Sequence, residues 1–475
     1  MIQLTRSPEG RSFATALEKQ DHVTDIVPLS ERRSAVTLGL LWITMVTGFP
    51  TVLIGFQWYK AGLTLPQVIQ CIVISCGLLL CYSVPSTLLG ARSGQTYSLL
   101  SRHMFGSWGS RLVSANLVWV SVAWYGLNAN FLADGLKGIY HWNIGTAWLG
   151  VGFAILMAFN NFFGFSGIAN FARYIAGPML IAWVVLTFVK ATAACSSVVL
   201  AAPPTHPFSY ALMLVSAAVI GYAVWGNEAD YWRYGKPGTL QSVIPLMAAL
   251  LVGQVIFPIT GWMMAHLTGI TEEGAATNLM NQYAFGGFSI FAAAVLAVSY
   301  FAVNDSGLYG AINGVANLKK APRKNVVAWL AITGALAAIG LTFVQNSLEL
   351  VATISSIFLP GATVVMLVEY FWFARKDQSE YRKVPSFKDL PNVKWPAVIA
   401  LFAGFAVGIA TSGLIPAFNS MHVGICSLQA WCATAIMYSV LRPLAKTQVA
   451  RQRTLLENLL NQDGLSASPI VVDRR

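Results

Sequence analysis

Residues 42–55 read WITMVTGFPTVLIG, and residues 219–231 read VIGYAVWGNEADY. Both stretches lie inside apolar runs, and both contain residues that interrupt a helix: Gly48 and Pro50 in the first, Gly221, Gly226 and Asn227 in the second. Unpaired backbone is costly in lipid, so such a break persists only where it is buried in protein or lines a cavity. Breaks at equivalent places in two halves of a chain predict the binding site of a transporter.

The composition of the 475-residue chain is that of a membrane protein. Hydrophobic residues make up 56% of it and charged residues 10%, whereas soluble proteins carry about 25% charge. Apolar runs of roughly 20 residues, the length that crosses a bilayer core, recur along the chain. They predict spans at 36–58, 64–90, 111–135, 145–165, 169–191, 208–234, 241–266, 286–317, 325–343, 347–373, 395–414 and 422–442.

The predicted fold is an all-α polytopic membrane protein with 12 transmembrane helices. Helices 1 and 6 are the broken ones, which implies a 5+5 inverted repeat plus two extra helices, because a repeat unit of five spans must be inverted in the membrane. We expect a cytoplasmic N-terminal tail at 1–34, a transmembrane transporter domain at 35–443 and a cytoplasmic C-terminal tail at 444–475.

The basic residues indicate the orientation. Of the 30 lysines and arginines, only Lys60, Lys137 and Lys190 fall in segments that this topology places outside. A strong excess of basic residues on one side marks the cytoplasmic side. The pattern predicts a multi-pass protein of the cell inner (plasma) membrane with both termini cytoplasmic. It also explains the net charge of +11 without a nucleic-acid partner.

No catalytic pattern accompanies these spans. The six histidines lie in loops or at span ends, and no HExxH, GxSxG or Walker sequence occurs. The chain is therefore not expected to be an enzyme. A channel would need rings of like side chains around a pore, and a sensor would usually carry a signalling domain; the sequence favours neither.

Span three carries a candidate ligand face. Ser121, Trp124 and Asn128 are spaced i, i+3 and i+7, so they share one side of a helix. An indole plane with a hydroxyl before it and an amide after it suits a flat heteroaromatic ligand, which needs a ring to stack on and polar groups at its edge. The alternative is a tryptophan packed against a neighbouring helix, with the polar groups joining helices.

Ionisable residues at membrane depth are functional candidates. Span six carries Glu228 and Asp230, and span eight carries Asn304 and Asp305. Glu228 and Asp230 have an alternative role as structural partners of the nearby Arg233.

Several short motifs, in order, resemble one family of permeases. They are DIVPLSERRS at 25–34, GARSGQTYSLLSRHMFG at 90–106, Trp124-Tyr-Gly126, ADYWRYG at 229–235, Asn304-Asp305, Leu308-Tyr309, GVAN at 314–317, Leu359-Pro-Gly361 and Val368-Glu-Tyr370. Over about residues 22–445 the chain resembles the nucleobase:cation symporter-1 family of cytosine, purine, allantoin and hydantoin permeases, most of all its purine-cytosine permease branch.

The resemblance implies a set of substrate-binding residues. The stacking tryptophan of the family falls on Trp124 and its substrate-reading asparagine on Asn304. Its polar contact in span three, a glutamine in known members, falls on Ser121 or Asn128. The aromatic residue at the first break falls on Phe49, and the one in span six on either Tyr222 or Trp225.

The resemblance also implies an ion site. Family members bind sodium with span-one carbonyls, here near Met45 and Gly48, and with span-eight side-chain oxygens, here near Ser299, Ala302 and Val303. Of these three side chains only Ser299 has an oxygen, and a hard cation needs five or six oxygen ligands. The candidate coupling ions are H⁺ and Na⁺; of these we expect a proton, carried by Glu228. No cofactor is expected.

Together these observations predict a symporter that imports a nucleobase such as cytosine or a purine by alternating access. The alternative is a related heterocycle: allantoin, a hydantoin or a vitamin-precursor pyrimidine. The expected partners are this small molecule and the lipid bilayer, and the expected functional unit is a monomer.

Overall fold

The structure is a computed structural model of the chain. It describes residues 21–46, 49–221, 226–271, 276, 279 and 283–462, and the side chains of all of these except 49, 50 and 446–462. Within these ranges the regular secondary structure is helical, and the one β contact is an isolated bridge between Arg33 and Gly235.

The described helices follow the apolar runs of the sequence. They are α1 Ala35–Val46, α2 Phe49–Lys60, α3 Leu65–Ser93, α4 Tyr97–Tyr140, α5 Thr146–Met157, α6 Gly164–Phe171, α7 Gly177–Ala194, α8 Phe208–Gly221, α9 Ala229–Trp232, α10 Thr239–Leu250, α11 Phe257–Thr268, α12 Ser289–Leu318, α13 Arg323–Leu341, α14 Ser347–Leu367, α15 Trp395–Thr411 and α16 Cys426–Gln462.

Six helical segments are long and apolar enough to cross a membrane: Leu65–Ser93, Thr146–Ala194, Thr239–Thr268, Ser289–Leu318, Arg323–Leu341 and Ser347–Phe373. Helices α1 and α2 meet the same criterion as a pair bent by 44°, which makes seven in the described part of the chain. Helices α8 and α15 are apolar but shorter. An all-α polytopic membrane protein is thus confirmed, while the count of twelve spans stays a prediction.

Described helices end beside both predicted breaks, although Pro50 lies in the first turn of α2 and Gly221 is the last described residue of α8; residues 226–228 are not helical. Helix α1 ends at Val46 and α2 begins at Phe49; α8 ends at Gly221 and α9 begins at Ala229. Four helices pack around the second break and the candidate face of span three: α12 lies along α4, and α14 packs on both α4 and α8. Helices α15 and α16 pack together on the outer side of α14.

Helix α4 is divided near its N-terminal end, at Gly106. Gly106 has φ +81°, and a side chain there would collide with the carbonyl of Pro391. The amides of Ser107 and Trp108 instead donate to the carbonyls of Pro391 and Asn392, at 2.9 and 2.8 Å. The turn between residues 97 and 105 is therefore set off from the spanning part of α4 by the loop before α15.

The described part of the N-terminal tail is docked. Residues 21–34 lie against the turn after α3 and the segment after α9, where the Val27 amide donates to Gly94 O (3.0 Å) and the Arg33 amide to Tyr234 O (2.6 Å). At the other end of the chain, α16 continues past residue 443, the expected end of the transmembrane domain, to Gln462.

Candidate functional site

The tryptophan of the candidate face is held by a side chain that the sequence did not single out. Trp124 is 8% exposed, and its indole N–H donates to Ser355 Oγ of α14 at 3.1 Å. The Ser355 hydroxyl in turn donates to the Ala352 carbonyl at 2.9 Å. This contact between α4 and α14 fixes the plane of the indole ring.

One turn along α4, two of the predicted residues meet. Asn128 Nδ2 donates to Asn304 Oδ1 of α12 at 3.1 Å. Asn304 Nδ2 donates to the Tyr125 carbonyl (3.1 Å) and lies 2.8 Å from Met157 Sδ. Asn128 and Asn304 are 3% and 1% exposed, so the pair is closed to solvent in this conformation.

The remaining predicted contacts are only partly described. Ser121 is buried one turn before Trp124 on α4. Phe49 is the first residue of α2, and its side chain lies outside the described residues, as do Gly48, Tyr222 and Trp225 entirely. The structure therefore brings Trp124, Asn128 and Asn304 to one region and is silent on the aromatic residues expected opposite them.

At the second break, the backbone amide and carbonyl of Gly226 are both paired with side chains. Gly226 has φ +131°, and a side chain there would overlap Leu359 of α14. The Gly226 carbonyl accepts the Thr363 hydroxyl, and its amide donates to Glu228 Oε1 at 3.1 Å. These partners meet the requirement that interrupted backbone at membrane depth be paired within the protein.

Glu228 is fully buried and joins the break to α3. Its Oε2 accepts the hydroxyls of Ser86 (2.6 Å) and Tyr82 (3.3 Å). With the Gly226 amide, three donors point at this carboxyl group. Hydrogen bonds from several donors stabilise the ionised form of a carboxyl group.

Asp230 lies beside it, also fully buried. Its Oδ1 accepts the amide of Tyr97, the first residue of α4, and its Oδ2 accepts Asn227 Nδ2, both at 3.1 Å. A carboxylate at a helix N-terminus is stabilised by the helix dipole. Its link to Arg233 is through the backbone, because Arg233 Nε donates to the Asp230 carbonyl at 3.2 Å.

Arg233 is committed to the N-terminal segment. It donates to the carbonyls of Asp21 (2.8 Å) and His22 (2.5 Å) and to the Tyr309 hydroxyl (2.6 Å). Among the described residues the ion pairs are His22–Glu31, Arg323–Asp21 and Arg442–Glu369. The hydrogen bonds of Glu228 thus run to α3 and to the break, while those of Arg233 run to the N-terminal segment, to Tyr309 and to the Asp230 carbonyl.

Asp21 of the same segment contacts several other elements. The Asp21 carboxylate pairs with Arg323 at the start of α13, and its Oδ1 accepts the Phe165 amide at 2.8 Å. The Asp21 carbonyl also accepts the Tyr234 hydroxyl at 2.8 Å. One residue of the tail therefore joins α6, α13 and the segment after α9.

The positions predicted for an ion lie on helices in contact. Met45 is buried in the last turn of α1, Ser299 is buried in α12, and α1 packs against α12. Ala302 and Val303 have no side-chain oxygen. In the described ranges, no three or more His, Cys, Asp or Glu residues are grouped as metal ligands.

Comparison with known proteins places the chain in a family. Residues 26–425 match the family described as permeases for cytosine/purines, uracil, thiamine and allantoin. The cytosine permease of Escherichia coli (strain K12) is 25% identical over 441 residues, which cover 91% of this chain and 96% of that protein.

Solved structures share the fold. Mhp1, a nucleobase-cation-symport-1 family transporter, in a closed conformation with bromovinylhydantoin bound, is similar with a TM-score of 0.68 and 18% identity, covering 89% of this chain and 95% of its own. A Na⁺-coupled sialic acid symporter in an outward-open state gives 0.65 and 12%, covering 91% and 96%. From the family match over most of its length, the chain belongs to the cytosine/purine permease family of nucleobase:cation symporters, and it is a membrane transport protein rather than an enzyme.

Proposed function

We propose that the chain is a secondary active symporter that imports a nucleobase, such as cytosine or a purine, across the inner membrane by alternating access. The observation that carries the proposal is the geometry of α4, α12 and α14. A buried indole is fixed by Ser355, and one turn away the carboxamides of Asn128 and Asn304 meet at 3.1 Å. A stacking surface beside paired amides is what a planar heterocycle with donors and acceptors at its edge requires.

In this proposal the ring of the substrate stacks on Trp124. Ser121, Asn128 and Asn304 bind its edge, and Phe49 together with Tyr222 or Trp225 completes the aromatic enclosure. The Asn128–Asn304 bond then serves as a stand-in for contacts made by the ligand, since each carboxamide has further donor and acceptor capacity.

The scaffold proposed for this site has twelve spans in a 5+5 inverted repeat with two extra helices and both termini in the cytoplasm. The broken segments around Val46–Phe49 and Gly221–Ala229 support it, because broken helices at the repeat interface form the midplane sites of such transporters. The likeness in fold extends to closed and inward-facing structures of Mhp1, which supports alternating access in this architecture.

For the coupling ion we propose a proton. Carbonyls near Met45 and Gly48 with Ser299 give about three oxygen ligands, too few for a desolvated sodium ion. The sequence names Glu228 as the candidate proton carrier, and its burial at the break is consistent with that role.

A related heterocycle is the second candidate substrate. The family description includes uracil, thiamine and allantoin beside cytosine and purines, and Mhp1 binds bromovinylhydantoin. Neither Ser121 nor Asn128 is the glutamine of known members, so the edge that this site binds differs from theirs.

One transport experiment tests the proposal. Purified protein in proteoliposomes is given labelled cytosine, adenine, hypoxanthine, uracil or allantoin under separate proton and sodium gradients. We expect concentrative uptake of one or two of these compounds, driven by the proton gradient without sodium. Uptake of none of them would refute the proposed substrate class, and strict sodium dependence at fixed pH would refute the proposed coupling.

A further inference from the structure

Asp305 is the buried carboxyl group that neither the substrate site nor the break uses. It lies near the middle of α12, directly after Asn304, and is fully buried. An ionisable side chain at this depth is costly to retain, which makes its surroundings informative.

The carboxyl group of Asp305 has one hydrogen-bond donor. Asn160 Nδ2 donates to its Oδ2 at 2.6 Å, and Oδ1 is buried without a hydrogen-bond partner. The neighbouring Asn161 Nδ2 donates to the backbone carbonyl of Asp305 at 3.1 Å. Among the described residues, Asp305 takes part in none of the ion pairs.

The charged and titratable groups of the surrounding elements are directed elsewhere. On α4, the Tyr125 hydroxyl donates to the Ala154 carbonyl. At the start of α13, Arg323 donates to the Asn161 carbonyl (2.7 Å) and pairs with Asp21. Tyr231 of α9 donates to Ser306 O at 2.6 Å, Tyr309 of α12 accepts from Arg233, and Arg173 before α7 donates to Thr37 Oγ1 at 2.9 Å.

The three buried carboxyl groups of this region differ in their donors. Glu228 accepts from three donors, and Asp230 accepts from two, one of them the N-terminus of α4. Asp305 accepts from one. A buried carboxylate without a cation is strongly disfavoured unless donors replace its hydration. The neutral acid fits the geometry of Asp305: Oδ2 accepts from Asn160, and Oδ1 carries the hydrogen.

We propose that Asp305 is a proton-binding site of this transporter and that its proton is the one coupled to substrate. Proton binding by Asp305 stands apart from the proposed function, whereas the coupling of this proton to substrate rests on it. It moves the coupling proton from Glu228, the candidate that the sequence names, to a residue beside the substrate-binding Asn304. The three donors of Glu228 suit a carboxylate that pairs the backbone at the second break.

Access of water to Asp305 links proton binding to substrate binding. When the substrate site is empty and open, water beside Asn304 solvates ionised Asp305. When substrate excludes this water, an ionised Asp305 is uncompensated, so binding favours uptake of a proton from the outer solution and formation of the Oδ1–H bond. On the inner side that bond breaks, the electron pair stays on Oδ1, and the proton passes to water. By linkage, protonation tightens substrate binding as much as substrate favours protonation.

The first test needs no substrate. Infrared difference spectra of the purified full-length protein at neutral pH are compared for wild type, Asp305→Asn and Glu228→Gln. We expect the carbonyl stretching band of a protonated carboxylic acid in wild type and in Glu228→Gln, and its loss in Asp305→Asn. A band that survives in Asp305→Asn, or that disappears in Glu228→Gln alone, overturns the assignment.

The second test measures coupling. The affinity for cytosine is titrated against pH, and uphill uptake is measured in proteoliposomes. In wild type, affinity is expected to fall by about tenfold per pH unit on the alkaline side, the slope for one linked proton. Asp305→Asn is expected to bind with no such slope and to exchange internal for external cytosine without accumulating it, while Asp305→Glu restores the slope. A slope retained in Asp305→Asn and lost in Glu228→Gln returns the coupling role to Glu228.

The two proposals fail separately. If wild-type protein takes up none of the tested heterocycles but shows the infrared band that Asp305→Asn loses, the proton site stands and the proposed substrate class falls. If uptake is concentrative and the band is unaffected by Asp305→Asn, the proposed transport function is supported and proton binding by Asp305 is refuted.

Discussion

Replacing Trp124 by alanine tests the stacking surface directly. Stacking of a base on an aromatic side chain contributes about 1–3 kcal/mol, so the dissociation constant for cytosine is expected to rise roughly 5- to 150-fold. The structure limits additional losses at this site, because Ser355 keeps its own hydrogen bond to the Ala352 carbonyl when the indole is removed. The cavity left in the packed bundle adds a cost in stability but none in recognition.

Two matched variants separate the ring from its orientation. Trp124→Phe keeps an aromatic face and loses the hydrogen bond to Ser355, and Ser355→Ala loses the same bond and keeps the indole. A neutral hydrogen bond contributes about 0.5–1.5 kcal/mol, so each variant is expected to weaken binding about 2- to 13-fold, less than Trp124→Ala.

The assay is calorimetric titration of purified protein with cytosine, or with the base that the uptake panel identifies. Thermal unfolding of each variant serves as the control for folding. Unchanged affinity in a folded Trp124→Ala protein would refute stacking at this residue. An effect of Ser355→Ala as large as that of Trp124→Ala would show instead that Ser355 itself contacts the ligand.

Three further outcomes are expected. Asn304→Ala is expected to weaken binding and to relax discrimination among bases, because a site built to hydrogen-bond an edge rejects analogues that leave its groups unpaired; a competition series in which every base loses equally would make Asn304 structural. Arg323→Gln leaves Asp21 buried without its cation, which destabilises the docking of residues 21–34 by about 3–5 kcal/mol. Amide hydrogen exchange in this segment is therefore expected to rise by at least ~100-fold, and exchange at the wild-type rate would contradict this. Burial, with Lys394 and Arg102 nearby, lowers the pKa of His103 from 6.5 to about 4. The unfolded chain therefore binds this proton more readily, and the stability of the fold is expected to fall as the pH drops from 6.5 to 4. His103→Gln should flatten this part of the plot of stability against pH, and an unchanged plot would contradict the assignment.

The sequence predicts this fold and part of the site because both depend on local patterns. Apolar runs and helix-breaking residues locate the spans and the breaks, and a helical period brings Ser121, Trp124 and Asn128 to one face. The meeting of Asn128 with Asn304 also follows once the family resemblance assigns both to the same ligand, and the structure brings them within 3.1 Å.

The other contacts of the site depend on which helices are neighbours. Periodicity within one helix does not indicate its neighbours. Ser355 and Met157 contact Trp124 and Asn304 from α14 and α5, yet in the sequence they are ordinary members of apolar runs. The same holds for Asn160, which reaches Asp305 from the turn after α5. The docking of residues 21–34 was likewise not predicted, because a polar, mixed-charge segment before the first span looks like a tail until its partners are known.

The hydrogen bonds that hold residues 21–34 suit the proposed alternating access. Arg32 donates to the carbonyls of Val27, Ala91 and Gly235, and Arg233 donates to those of Asp21 and His22. Burial, with Arg233 nearby, lowers the pKa of Arg32 to about 10, so it stays charged at neutral pH. When such bonds separate, water reaches both the guanidinium and the neutral carbonyl, and no counter-charge is left buried. The net free-energy cost of breaking these hydrogen bonds is therefore smaller than their number suggests. This keeps the two conformations within the few kcal/mol that a ligand and a proton can shift. The Asp21–Arg323 pair is different, since each partner leaves a charge behind, and we expect it to set how far the closed side is favoured.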